Sequence, residues 1–271
     1  PVDESATQVP RSPPQAPFTL DSVRDALVRQ EDTIVFCLIE RARYPYNPPA
    51  YDPSFPGSVL GGYGPTLARF YAMRAEEIDA KAGRYENPEE VPFFPDNLRM
   101  PLIPSYNHPQ VLHPKSASVN VNKDIWEMYF NKLLPLFTVK GDDGNYGSTV
   151  ASDLICLQAV SRRIHYGRFV AEVKFKDAPQ EYTSLIRAQD RDGLMKLLTF
   201  EAVEESVKKR VAKKAMVFGQ DVTLDDKGDN HHENDSVKYK VDPKVVARLY
   251  GEWVMPLTKL VQVEYLLRRL N

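Results

Sequence analysis

Residues Cys156–Phe175 read CLQAVSRRIHYGRFVAEVKF, and their apolar positions Val160, Gly167, Val170 and Ala171 recur at helical spacing. Arg163 and Lys174 fall on that same stripe rather than on the polar face. They are three helical turns plus about 20° apart, so the spacing predicts two cations on one face with about 16 Å between their Cα atoms. Long side chains reaching inward from that separation can grip one small anion. Arg and Lys also lie along apolar stripes with buried stems and heads in water, and for either residue alone that alternative stays open. Two cations on one stripe, with Arg162 on the neighbouring face, weigh against it. A buried cation needs either a protein carboxylate or a bound anionic ligand.

Around this stretch the chain has 271 residues, 42% of them hydrophobic, and a formal charge of −2, which suits one large globular domain. The 35 basic and 37 acidic residues form no long basic run, so nucleic acid is not an expected partner. No stretch approaches the roughly 18 apolar residues of a spanning helix, and no membrane association is expected. Cys37 and Cys156 each sit inside a helical apolar pattern and read as reduced core thiols of an intracellular protein.

Residues 1–17 carry five prolines among Ser, Gln and Asp and are expected to be a disordered tail ahead of one domain, 18–271. A helix capped by Thr19 follows, with Leu20, Val23, Leu27, Ile34 and Leu38 on one side. Arg24 is flanked by Leu20, Leu27 and Val28 and is expected at the core edge, although a lone arginine there also suits the surface. Proline and glycine break the chain from 44 to 65. The next helix, about 66–83, has Leu67, Phe70, Tyr71 and Ile78 as its expected buried side. An extended, proline-rich stretch covers 84–114, and a helix spans about 121–136.

After the turn GDDGNYGS, Ser148 can cap the helix that runs toward Arg163. Such a glycine-containing turn before a helix N-terminus can receive a carboxylate or be no more than a capped turn. Helices are expected over 180–189, 191–199 and 200–218. Glu204 lies on a partly apolar face of the last of these, and Glu205 beside it suits solvent. Residues 219–236 form a polar, acidic surface loop, in which His231 and His232 read as a solvated pair rather than metal ligands. In the final helix, 243–270, Thr258 and Gln262 stand one turn apart on an otherwise apolar face. A buried glutamine needs partners for both ends of its amide, so these residues and the cations suit a polar pocket between helices. The fold expected is all-α, a multi-helix bundle.

The sequence holds no nucleophile arrangement, no metal-ligand spacing above chance and no phosphate loop after a strand. Cations, a hydroxyl, an amide and one carboxylate can bind a small dianion and stabilise charge developing on an oxygen. That chemistry suits an internal rearrangement. The runs VRDALVRQEDTIVFCLIERA, PEEVPFFPD, GNYGS, CLQAVSRRIHYGRFVAEVKF, VEESVKKRV and MPLTKLVQVEYLLRRL together resemble the all-helical chorismate mutases of plants and fungi. The resemblance covers nearly the whole chain from about residue 18. It implies a cofactor-free homodimer that converts chorismate to prephenate on the way to phenylalanine and tyrosine.

Carried over by position, the resemblance puts Arg24, Arg163 and Lys174 around the substrate carboxylates and ether oxygen. It puts Glu204 at the ring hydroxyl, Thr258 near a carboxylate and Gln262 at the ether oxygen. Phe200 stands where fungal members have asparagine, and Gln262 where they have glutamate, as in several plant members. The family's effector site, at the dimer interface, matches Arg84, Asn145, Gly147 and Ser148, which implies a response to Trp, Phe or Tyr. Gly83 and Ala151 replace a fungal arginine and threonine there, and Gly147 replaces a proline frequent in the cytosolic plant type. That type is the one the chain most resembles, so a cytoplasmic location is expected, with the plastid stroma as the alternative. Two other readings are a non-catalytic helical adaptor for acidic or phosphorylated peptides and a helical terpenoid synthase. The latter would need metal-binding acidic motifs on helices, but Asp142-Asp143 and Asp225-Asp226 fall in loops.

Overall fold

The computed structural model describes residues 18–55, 64–221 and 238–271. The expected tail, 1–17, and most of the polar loop, including Asp225, Asp226, His231 and His232, lie outside the described residues. Regular structure among the described residues is helical throughout. In chain order the α-helices are α1 Leu20–Arg41, α2 Leu67–Lys81, α3 Asn122–Met128, α4 Leu134–Phe137, α5 Tyr146–His165 and α6 Gly167–Asp177. They continue with α7 Pro179–Arg187, α8 Arg191–Leu198, α9 Glu201–Phe218, α10 Pro243–Leu249 and α11 Met255–Leu267.

Helix α1 starts on a capping box, in which Thr19 Oγ1 accepts from the Ser22 N–H at 3.2 Å and Ser22 Oγ from the Thr19 N–H at 3.0 Å. Its stripe of Val23, Ile34, Val35 and Leu38 is fully buried and packs on α5. Helix α2 turns a different face inward from the one its large apolar residues suggest. Ala68, Ala72, Glu76 and Ala80 are buried, whereas Tyr71 is exposed and Ile78 is 68% exposed. The alanines let α2 lie close to α5, and Glu76 is drawn inward because its carboxylate accepts the Phe93 and Phe94 N–H groups, each at 2.8 Å. That carboxylate thereby anchors the proline-rich segment to the bundle.

Two helices expected to be uninterrupted contain a widened π turn, Tyr129–Leu133 between α3 and α4 and Tyr250–Val254 between α10 and α11. Each turn ends just before a proline, Pro135 and Pro256. Proline has no N–H to donate and crowds the carbonyl four residues back, and a wide turn relieves both conflicts without ending the helix. The central stretch likewise divides, at Tyr166, whose φ of −61° and ψ of −17° keep the chain in the right-handed region between α5 and α6. Ser148 does not cap α5. The N-cap position is Asn145, whose side chain turns back to Asp143 at 2.9 Å, while Ser148 lies exposed in the first helical turn.

Helices α1, α2, α3 and α11 pack around α5. The grip of α1 on α5 centres on Arg41, which is fully buried, with Nε 2.6 Å from Asp153 Oδ1. The same guanidinium donates to the carbonyls of Tyr44 and Pro45, and Tyr51 and Tyr129 donate to Asp153 at 2.5 and 2.8 Å. Burial is the largest single influence and works against the Arg41 charge, but Asp153, Tyr51 and Tyr129 together outweigh it and hold the guanidinium pKa above its ordinary value. Replacing Asp153 with Asn leaves a buried cation without its counter-charge and is expected to cost about 3–5 kcal/mol. Urea unfolding of D153N measures this, and a loss below about 1 kcal/mol would contradict the role.

His165 is fully buried, with Nδ1 2.8 Å from the Ser161 carbonyl and Nε2 accepting the Val121 N–H at 2.9 Å. Only the neutral ring with its proton on Nδ1 satisfies both bonds. Burial, and then the neighbouring Arg168, push its pKa down from 6.5 to about 3. The unfolded chain therefore takes up this proton first, and stability should fall as pH drops from about 6.5 toward 3. H165Q should lose that part of the acid sensitivity. Parallel stability–pH curves for wild type and H165Q over this window would refute the assignment.

Candidate active site

Arg163 enters the space between α1, α5, α9 and α11. It is 5% exposed, and its Nη1 donates to Thr258 Oγ1 at 3.3 Å. Nε is buried with no partner, and the guanidinium carbon lies 5.8 Å from the centroid of the buried Tyr250 ring. No carboxylate among the described residues comes within 4.0 Å of it. Burial pulls its pKa below the usual arginine value. Arg162 is 41% exposed and bound to Glu89 and Glu90, so the two adjacent arginines occupy opposite environments, as the stripe requires.

Thr258 and Gln262 are both buried on α11. The Thr258 hydroxyl donates to the Val254 carbonyl at 2.6 Å, which turns its lone pairs toward Arg163. Gln262 Oε1 is buried without a partner among the described residues, a second orphan polar atom. Gly167 makes this juxtaposition possible. A Cβ there would stand 2.8 Å from the Thr258 carbonyl oxygen and 3.3 Å from Gln262 Cγ, so any side chain would push α6 off α11.

Lys174 is half-buried on α6, with Nζ 5.0 Å from the centroid of Phe200, the residue just before α9. Burial lowers its pKa, and the nearby charge of Arg24 lowers it further. Arg24 thus approaches the same cluster, but its side chain is 65% exposed and rests 3.5 Å from Asp21, so it sits in solvent at the rim and not at the core edge. Glu204 is paired with Lys259 at 2.8 Å, while Glu205 is exposed and pairs with Lys208.

Sequence reasoning passed over three neighbours. Glu31 is buried and held by Arg210 at 2.6 Å and Lys214 at 3.0 Å. It lies four residues after Leu27 and three before Ile34, so the α1 stripe marked it as a buried acid. Lys259, the partner of Glu204, follows Thr258 directly. Tyr250 carried no signal, since its place under Arg163 depends on the π turn.

The other expected constellation is spread along α5. Arg84 bonds Asp79 at 2.9 Å, Glu90 at 3.2 Å and Gln158 at 3.0 Å. Asn145, Gly147 and Ser148 lie at the opposite end of the helix, about 15 Å along its axis from Gln158. Within one chain the two groups are apart. Asn47 holds that turn in place, donating to Asp143 at 2.9 Å and to Thr149 at 2.8 Å. Among the described residues no group of three or more His, Cys, Asp or Glu could hold a metal ion, and no helix is long and apolar enough to cross a membrane.

The arrangement suits a small ligand with negative charge, received by a guanidinium and an ammonium that have no carboxylate within 4.0 Å among the described residues. Residues 145–263 match the family described as chorismate mutase type II. Chorismate mutase 2 of Arabidopsis thaliana is 59% identical over 254 residues, spanning 94% of each chain. The cytosolic chorismate mutase 2 of Zea mays is 60% identical over 254 residues, 94% of this chain and 97% of that one. Among solved structures, AtCM1 with tyrosine bound in its allosteric site aligns with a TM-score of 0.82 at 48% identity, covering 99% of both chains. The chain belongs to the chorismate mutase family.

Proposed function

We propose that this protein is a chorismate mutase that rearranges chorismate to prephenate, in the route to phenylalanine and tyrosine, by electrostatic stabilisation without a cofactor. The observation that carries the reading is the buried Arg163, a cation with no carboxylate within 4.0 Å among the described residues and an orphan Nε. The substrate supplies two carboxylates. In our reading Arg163, with Thr258 beside it, and Arg24 at the rim receive them, while Lys174 and Gln262 face the ether oxygen. Glu204, released in part from Lys259, accepts from the ring hydroxyl. The reaction breaks one C–O bond and forms one C–C bond within a single molecule, so it needs orientation and stabilisation of charge on oxygen rather than a base or nucleophile. A peptide-binding adaptor is not favoured, because a long open groove would not bury its central arginine.

We further propose a homodimer with an effector site between protomers. Arg84 and the 145–148 turn are about 15 Å apart along α5, so a combined site needs the turn of a second copy. Exposed Tyr71 and Ile78 on α2 and Ile155 on α5 form an apolar surface that a partner would cover. The tyrosine bound to AtCM1 supports an aromatic amino acid as effector. A cytosolic location is the reading supported by the name of the maize relative.

Two experiments test the catalytic reading. R163A and K174A should each lower kcat/KM for chorismate by about 100- to 1,000-fold, the usual cost of losing one donor to developing charge, whereas R162A should stay near wild type. Equal losses in R162A and R163A would refute the stripe. Gln262 can donate at any ordinary pH, whereas a glutamate donates only while protonated, with a reference pKa of about 4.3. The wild type should therefore hold kcat/KM across neutral pH and Q262E should work only in acid. Superimposable profiles would remove Gln262 from the ether oxygen.

A further inference from the structure

A second buried guanidinium also has no carboxylate within 4.0 Å among the described residues. Arg168, on the first turn of α6, is 5% exposed, and its hydrogen bonds run to the carbonyls of His165 at 3.1 Å, Ala117 at 2.6 Å and Pro88 at 2.7 Å. A guanidinium has five N–H donors, so these three bonds leave two of them free. Burial lowers its pKa to about 10, and no carboxylate offsets that loss. Arg41 is the internal comparison: it is equally buried, and there the fold supplies Asp153.

Arg168 lines a cavity of about 430 Å³ beneath the segment that follows α2. Pro88 and Ala117, whose carbonyls grip the guanidinium, belong to the same wall, so the charged end sits at the cavity rather than behind it. The two acids of the wall do not neutralise it. Glu90 is taken by Arg84 and Arg162, and Glu86 accepts from Ser105 Oγ at 2.8 Å. Tyr85, Tyr106 and His108 give the rest of the wall its aromatic character, with the Tyr106 and His108 rings in edge contact at 4.8 Å. The volume lies at the small end of ligand pockets.

We propose that this cavity is a second anion site, which takes a small organic carboxylate with a flat apolar body, its carboxylate on Arg168 and its body against Tyr106 and His108. The nearby Glu86 favours a monoanion over a dianion such as phosphate. The pattern is that of Arg163, a buried cation left for a ligand to complete, and it rests on none of the residues proposed for catalysis.

The test uses the full chain in solution with 3-phenylpropanoate as probe and inorganic phosphate for comparison, read by calorimetric titration and hydrogen exchange. 3-Phenylpropanoate should bind saturably and protect the amides of residues 85–90 and 106–112, equally in wild type and R163A. Phosphate should give no such protection. A117L, which fills the cavity and keeps every charge, should raise Kd at least tenfold, and so should R168Q if it folds. Protection that is lost in R163A but kept in A117L would put the probe in the catalytic pocket and overturn the proposal. Absence of saturable binding, or protection by phosphate alone, would overturn it as well.

Discussion

Arg163 is a cation that the fold carries inside with no described carboxylate within 4.0 Å, and much of the bundle can be understood as the means of holding it there. Removing an ion from water costs several kcal/mol unless an opposite charge meets it. Helix α5 bears that cost because its other contacts are saturated. Arg41 and Asp153 lock it to α1, while Asn47 ties its first turn and His165 its last to neighbouring loops. With the helix fixed on both sides, the guanidinium cannot swing out to solvent without breaking contacts that are themselves buried.

The same logic explains the opposite wall. Thr258 reaches Arg163, with Gln262 one turn on, because α11 lies against Gly167, and α11 continues through Pro256 because the preceding turn widens. That widened turn also carries Tyr250 under the guanidinium. Local backbone chemistry, a missing Cβ and a missing N–H, thus decides where the hydroxyl, the amide and the aromatic face come to lie. Arg163 Nε and Gln262 Oε1 are both buried without a partner among the described residues, and in the function proposed above a ligand supplies what they lack.

What could be read from the sequence was what depends on helical period. Thr258 and Gln262 share a turn and Arg162 is set apart from Arg163, and the described structure agrees with both, whereas the one stripe read through Arg163 and Lys174 is divided at Tyr166, which places them on α5 and α6. The same period held the buried Glu31 in plain view, between Leu27 and Ile34, and only its acidity kept it from being counted. Period failed where side-chain size misled, as on α2, whose alanines face inward and whose Ile78 faces out. It also had no purchase on long-range partners. Nothing local shows that Arg41 will meet Asp153, 112 residues away, or that Glu204 will pair with Lys259. The exposure of Arg24 belongs to this class, since Asp21 and Lys174 together decide where its charge rests.

In the function proposed above, Arg163 is buried for a ligand and not for the fold. The most direct measurement is the unfolding free energy of R163M against wild type, each with and without prephenate. The uncompensated charge is a burden on the empty protein, so the isosteric apolar replacement should leave the ligand-free stability unchanged or raise it by about 1–4 kcal/mol. Saturating prephenate should stabilise the wild type and do little for R163M. A ligand-free R163M destabilised by about 3–5 kcal/mol, as when one partner of a buried ion pair is removed, would show that the arginine serves the fold and would contradict the account.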